Sequence, residues 1–543
     1  MPRRKIPKKA ELIQLQKLYK TDEKIAERLG NVSPQLVAYW RRKKNIPKHS
    51  FAKFSVDEIR ELWERFGDDY RCGLELGISK AAFYNWRRKY GLKEKPAFLK
   101  LEQLELKLGG PQSGLKKISG NDNQTIAQKI LANCAGLDKV EIDRSIEIEP
   151  DLTVLPKNAD QIIESFSQMG LNYVWNPNRI VISLNGIQAS LGDFADTNKL
   201  IRDFSHRQNL KYFYETGEGC CHQLVVEKGN ILPGQLAVCA GLHTASYGCL
   251  GALGFDIDKT EMANIWATGK LALKVPKTIK ITINGPVPKG VYARDIVLFA
   301  AQKLESENKG QNKNSVIEFY GNAVSQMSLS ERFTLTNMSS LLGSVTAIVP
   351  YDNITRRYIS KRTNMPYRPA LADQNAIYSE SYELNIDKLT PQLSQLGSKN
   401  EKIMTSVTEK EGIPVNQVII GSDTNGRFED LRVAADIIKG KKINPDVRMY
   451  VYPSSRAIYL EALKRGLVRA FMEAGVNVMC PGPVPDMDQT IGSLASGETC
   501  LATTGYDFEK DIKPNVTIFQ ASPATAVATA LTGVITNPTG YIK

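Results

Sequence analysis

The sequence predicts an α/β body preceded by an all-α, two-unit head, and three observations predict it. At 543 residues the chain is longer than one ordinary core holds, so more than one compact unit is expected. From Gln124 onward, β-type runs such as Arg179-Ile180-Val181-Ile182-Ser183 and Gln417-Val418-Ile419-Ile420-Gly421 alternate with helical patterns such as residues 429–439. That order builds helical layers on mainly parallel sheets, with ligand loops at the strand ends. The third observation is charge: residues 1–100 hold 25 Lys and Arg against 12 Asp and Glu, while residues 101–543 are balanced at 46 of each. The whole surplus of +13 sits at one end, which implies a polyanion-binding module on a neutral body, or a solubilising basic arm.

Composition excludes several classes. With 42% hydrophobic and 24% charged residues, the chain can bury a core, which removes disordered and collagen-like readings. The opening MPRRKIPKKAE has no apolar leader and no long apolar run follows, so a cytoplasmic protein without membrane spans is expected. The eight cysteines form no C-x-x-C pair, which argues against a disulfide framework and a zinc site.

The head repeats. Ala26-Glu27-Arg28-Leu29-Gly30 leads to Val32-Ser33-Pro34, then Tyr39-Trp40-Arg41-Arg42-Lys43-Lys44 and Ile46. Further on, Gly73-Leu74-Glu75-Leu76-Gly77 leads to Ile78-Ser79-Lys80, then Asn85-Trp86-Arg87-Arg88-Lys89-Tyr90 and Leu92. Each copy reads as an amphipathic helix, a Gly turn, a Ser N-cap, and a second helix with a Trp core anchor and a basic end. This pattern resembles helix-turn-helix DNA-binding domains. The resemblance implies base-edge contacts from the early second helix, here Ser33, Pro34, Gln35 and Ala38, and Ser79, Lys80, Ala82 and Phe83 or Asn85. Arg41, Arg42, Lys43, Arg87, Arg88 and Lys89 suit phosphates. Tandem three-helix units also mediate protein contacts, and that alternative stays open. The expected boundaries are 1–50 and 51–98 for the two units, 99–122 for a Gly/Pro/Ser linker and 123–543 for the body.

In the body, ordered motifs occur at 124–136 (QTIAQKILANCAG), 217–229 (GEGCCHQLVVEKG), 242–255 (LHTASYGCLGALGF), 267–292 (ending KGVY), 332–343 (RFTLTNMSSLLG), 421–432 (GSDTNGRFEDLR) and 497–510 (GETCLATTGYDFEK). Together they resemble the aconitase superfamily, and within it the large subunits of 3-isopropylmalate dehydratase and homoaconitase. The resemblance implies a multi-subdomain αβα core and hydro-lyase chemistry. It also implies a [4Fe-4S] cluster held by three cysteines, since soft thiolates hold such clusters. The loop ITINGPVPKG at 281–290 lacks the spacing of a phosphate loop and reads as a turn.

This sequence departs from the family pattern at its chemistry. Asp423 stands at the first cluster-ligand position, and Pro483-Val484-Pro485-Asp486 stands at the later C-x-x-C. Cys480 is near but out of register, Cys500 lies in a segment that holds no ligand in the family, and both read as small buried residues. Asn185-Gly186 replaces an Asp-His pair, Gly241-Leu242 precedes His243 where Asp-Ser is usual, Leu341 replaces a glutamate, and Tyr506 and Asp511 replace two arginines. The expectation is therefore no cluster and no cofactor, with Asp423 and Asp486 as an alternative pair of oxygen ligands for Mg²⁺ or Mn²⁺. The carried-over pocket is His222, Gln223, His243, Asn337, Asp423 and Asp486, with His222 and His243 as the catalytic candidates or else as packed core histidines. The chain ends near Ala521 to Lys543, where large subunits also end; the resemblance implies that the swivelling domain with its proton-abstracting serine either comes from a small-subunit partner or is not needed because no dehydration is performed.

The leading expectation is a DNA-binding regulator with a catalytically degenerate body and a small carboxylate as effector. The alternatives are a hydro-lyase or isomerase of a hydroxy-carboxylic acid working with a small subunit, and a structural paralogue that joins an active large subunit.

Overall fold

The computed structural model describes residues 7–92 and 123–542, apart from breaks at 8, 20, 30–31, 48–53, 67–68, 70–71, 74–75, 77, 157–158, 185–193, 242, 309–313, 397–401, 485–491 and 505–514. The linker expected at 99–122, together with Asn185, Leu242, Asp486, Tyr506 and Asp511, lies outside the described residues. The chain divides into two compact units, Met1–Ser119 and Gly120–Lys543.

In the first unit, helices Lys9–Tyr19, Asp22–Leu29 and Pro34–Lys43 enclose Leu12, Ile25, Ala26, Val37, Trp40 and Ile46. Helices Val56–Phe66 and Lys80–Lys89 pack around Ile59, Trp63, Cys72 and Phe83. Ser33 and Ser79 cap their helices, each hydroxyl accepting the backbone N–H three residues on, at 3.3 and 3.2 Å. Such a cap contributes about 1 kcal/mol.

Two expected phosphate contacts are corrected here. Arg41 is buried and donates from Nε and Nη2 to the two carboxylate oxygens of Asp22, both at 3.0 Å, and from Nη1 to the Ile46 carbonyl at 3.2 Å. Arg87 repeats the arrangement on Asp69, at 2.8 and 3.0 Å, and on the Leu92 carbonyl at 2.6 Å. Both guanidiniums tie the second helix of their unit to the residues before and after it, so neither faces solvent. Phe83, placed among the base contacts from sequence, is fully buried in the core. Trp40 is buried, and Trp86 is half-buried against the edge of Phe54.

The second unit is built on three main sheets. One has five parallel strands in the order Tyr212–Tyr214, Ile180–Ser183, Leu152–Leu155, Leu236–Cys239, Leu253–Asp256. A second has four parallel strands, Thr346–Ile348, Ser315–Tyr320, Lys277–Asn284 and Glu380–Asn385. The third has seven strands, in which Gln392–Leu396 runs antiparallel to both Lys402–Ser406 and Thr517–Ala521. Its other pairs, including Gln417–Gly421 with Arg448–Tyr452 and with Thr499–Ala502, are parallel.

Continuous apolar runs follow from this burial. Ile180 and Ile182 enter one hydrophobic cluster while Val181 enters the cluster on the opposite face. Val418 and Ile420 likewise face away from Ile419. A parallel strand covered on both faces needs no polar alternation. The 281–290 stretch is the end of a strand followed by a turn. None of the eight cysteines is in a disulfide; Cys500 is buried as expected, but Cys480 is exposed, which corrects its reading as a core residue. Among the described residues no helix is long and apolar enough to cross a membrane.

Candidate active site

Four separate stretches of the body meet at one point. Helix Cys221–Glu227 follows the strand Tyr212–Tyr214 and carries His222. His243 lies just beyond the strand Leu236–Cys239, at the start of the 3₁₀ turn Thr244–Leu250. Asn337 closes helix Leu329–Asn337, and Asp423 sits in the short helix Ser422–Asn425 beyond the strand Gln417–Gly421. His243 and Asp423 therefore occupy the C-terminal ends of parallel strands, the usual place for ligands in α/β sheets.

The contacts are specific. His243 Nε2 lies 2.7 Å from Asp423 Oδ2. The amide Nδ2 of Asn337 donates to His243 Nδ1 at 3.2 Å and to Ser246 Oγ at 2.8 Å. Thr424 Oγ1 donates to Asn337 Oδ1 at 3.2 Å, which fixes which way the amide points. With Nδ1 accepting, the ring proton resides on Nε2 and is shared with Asp423. The His222 ring is 5.0 Å from that of His243, and its Nε2 donates to the Asp423 backbone carbonyl at 2.9 Å. Burial, reinforced by His243, lowers the His222 pKa to about 3 and keeps that ring neutral.

The backbone is constrained where these groups attach. His243 has φ +72° and Ser422 has φ +66°, a left-handed conformation costing about 1–3 kcal/mol for a residue with a side chain. Ser422 is held by its carbonyl, which accepts from Ser454 Oγ at 2.5 Å, and by its hydroxyl, which accepts from Val484 N–H at 2.8 Å. At Gly421, with φ +117°, a Cβ would come within 1.9 Å of the Tyr452 carbonyl, so only glycine lets the strand turn into this loop. Arg427 fastens the loop to helix Leu329–Asn337 by donating to Ser330 Oγ at 2.9 Å and Thr334 Oγ1 at 2.5 Å, with its guanidinium 4.5 Å from the Phe333 ring. Asn425 joins Arg294 to Asp430 and Thr334 in the same buried network.

Of the pocket expected from sequence, His222, His243, Asn337 and Asp423 converge. Gln223 points elsewhere, donating to Glu227 Oε2 at 3.3 Å. Ser246, Thr424 and Arg427 complete the site and were not among the expected residues. Thr424 and Arg427 lie inside the 421–432 motif, so the signal was present.

Asp423 turns its carboxylate to His243, Asp486 lies outside the described residues, and no group of three or more His, Cys, Asp and Glu is placed to hold a metal among the described residues. Cys220, Cys221, Cys239 and Cys249 are buried nearby, but burial pushes each thiol up, to about 12 for Cys221 and Cys249, which disfavours free thiolates. The described donors do not make a three-thiolate set.

Comparison with known proteins places the chain. The model of the aconitase family (aconitate hydratase) matches residues 185–533. The 3-isopropylmalate dehydratase large subunit 1 of Methanopyrus kandleri is 36% identical over 422 residues, covering 77% of this chain and all of that protein. A probable methanogen homoaconitase large subunit of Methanosarcina mazei is 39% identical over 377 residues, covering 69% of this chain and 95% of that protein. The 3-isopropylmalate dehydratase large subunit of Moorella thermoacetica is 36% identical over 423 residues, covering 77% of this chain and 99% of that protein. These matches overturn the expectation of a chain without a cofactor, because a [4Fe-4S] cluster belongs to the family they identify. A model spanning most of the body and relatives aligned over nearly their whole length leave one assignment: the chain belongs to the aconitase family.

Proposed function

We propose that the chain is the large subunit of a hydro-lyase acting on a small hydroxy-carboxylic acid, with a dehydratase small subunit as its partner. The observation that carries this reading is the Asp423–His243 pair, gripped by Asn337 at the strand ends and attached through strained backbone. Dehydration needs a proton delivered to the leaving hydroxyl and another removed from the adjacent carbon. Asp423, entering as the carboxylic acid, serves the first task, and the carboxylate it leaves is stabilised by the Nε2–H of the neutral His243 ring. The second is left to the partner. His222, held neutral, supports Asp423 from behind and does not titrate in the working range.

The relatives named above support this reading over a catalytically degenerate body. The regulatory reading attaches to residues 1–92 and concerns an added property of the head. The experiment is a turnover assay with the full chain, purified without oxygen, treated with iron and sulfide and mixed with a dehydratase small subunit. Formation of the unsaturated acid from isopropylmalate or homocitrate supports the reading; no turnover of either acid with an active small subunit overturns it.

A further inference from the structure

We propose that the head is a duplex-DNA-binding surface made by the second helix of each repeat, independently of what the body catalyses. The two helices, Pro34–Lys43 and Lys80–Lys89, have the sequences PQLVAYWRRK and KAAFYNWRRK and contain no acidic residue. Helices Lys9–Tyr19, Asp22–Leu29 and Val56–Phe66 each begin with acidic residues. The negative charge of the head is thus kept off two equivalent helices.

The structure also sorts the basic residues. Arg41 and Arg87 are spent inside the fold on Asp22 and Asp69, which leaves Arg42, Lys43, Arg88 and Lys89 exposed at equivalent positions. At 100° per residue, Gln35, Tyr39 and Arg42 share one face of the first helix, opposite Val37, Trp40 and Arg41. Ala81, Asn85 and Arg88 share the matching face of the second, opposite Phe83 and Arg87. Tyr39 is 54% exposed and Tyr84 is 40% exposed, and Arg88 donates to the Tyr84 hydroxyl at 3.3 Å. The four cations are thus uncovered at equivalent positions, with one exposed tyrosine beside each pair, Tyr39 next to Lys43 and Tyr84 next to Arg88.

Duplex DNA fits this surface for two reasons. A helix about 10–12 Å across matches the width of the B-form major groove, whereas the deep, narrow major groove of A-form RNA excludes it. A face that carries Gln35 in one helix and Asn85 in the other, with cations at its end, also divides naturally between base edges and phosphates.

The test measures binding of the full chain to a mixed-sequence DNA duplex over about 50–200 mM salt. The expected result is binding that weakens steeply with salt. In the variant R42Q/K43Q/R88Q/K89Q the slope of log K against log salt should shrink by about 3.6, at about 0.9 per lost phosphate contact. The half variants R42Q/K43Q and R88Q/K89Q should each lose about half of that. These side chains are exposed, so helicity should be unchanged. No duplex binding at the lowest salt, an unchanged slope in the fourfold variant, or equal competition by an acidic polypeptide or by duplex RNA would each overturn the proposal.

Discussion

The Asp423 carboxylate and the His243 imidazole, far apart in sequence, meet at 2.7 Å between Nε2 and Oδ2, and each is carried past the end of a different parallel strand. Asp423 is thus the partner of an imidazole whose second nitrogen is fixed by the Asn337 amide. Several consequences can be measured.

Asn337 sets the tautomer of His243, because its amide orientation is dictated by Thr424 and Ser246. Asn337→Leu should cost about 1–3 kcal/mol by leaving Ser246 and His243 Nδ1 without their donor. It should also lower turnover about tenfold, the scale of a mispositioned acid–base group. Nitrogen-15 spectra of the histidines would show the Nδ1–H form rising in the variant while the wild type holds Nε2–H.

Neighbouring arginines in the head should behave oppositely. Arg41→Gln and Arg87→Gln each leave a partly buried aspartate and a backbone carbonyl without their donor and should destabilise the head by about 1–3 kcal/mol. Arg42→Gln and Arg88→Gln, at exposed positions, should change stability by under about 0.5 kcal/mol. Calorimetry of the full chain would show the head transition moving in the first pair alone.

Asp295 is fully buried and accepts N–H groups from Gln392 and Tyr292, both at 2.8 Å. Burial raises its pKa from 3.8 to about 7, so the unfolded chain loses this proton more readily than the folded one. The contribution is full below pH 3.8 and is lost as pH rises through about 7. Asp295→Asn should lower stability overall, because its amide faces one of those N–H groups, yet it should flatten the decline between these pH values in urea titrations.

His222 has the opposite sign. With its pKa lowered from 6.5 to about 3, its contribution is full above pH 6.5 and is lost as pH falls through about 3. His222→Gln, which can still donate to the Asp423 carbonyl, should unfold less steeply in acid than the wild type.

Much of this architecture was legible in the sequence. The 46-residue repeat places Ser33 and Ser79 ahead of helices that they do cap, and the runs at 180–183 and 417–421 are strands buried on both faces. Arg41 could have been separated from Arg42 by helical phase, since Val37, Trp40 and Arg41 fall on one face, as do Phe83, Trp86 and Arg87. Its carboxylate partner lies on another helix, and no local pattern announces that. The same holds in the body: motif order brought His222, His243, Asn337 and Asp423 to one list, but the bond between Asp423 and His243 and the left-handed backbone beneath them arise only from tertiary packing. Cys480 was misplaced because small apolar residues read as core whenever their neighbours are ignored.

The most direct measurement is a double-mutant cycle on turnover, using the iron- and sulfide-treated full chain with a small subunit. If His243 and Asp423 act as one proton-delivering unit, Asp423→Asn, His243→Asn and the double variant should each lose about 10²–10⁴ in kcat, with nearly equal losses and little change in KM. Wild-type kcat in Asp423→Asn, or losses in the double variant equal to the product of the single losses, would contradict the account.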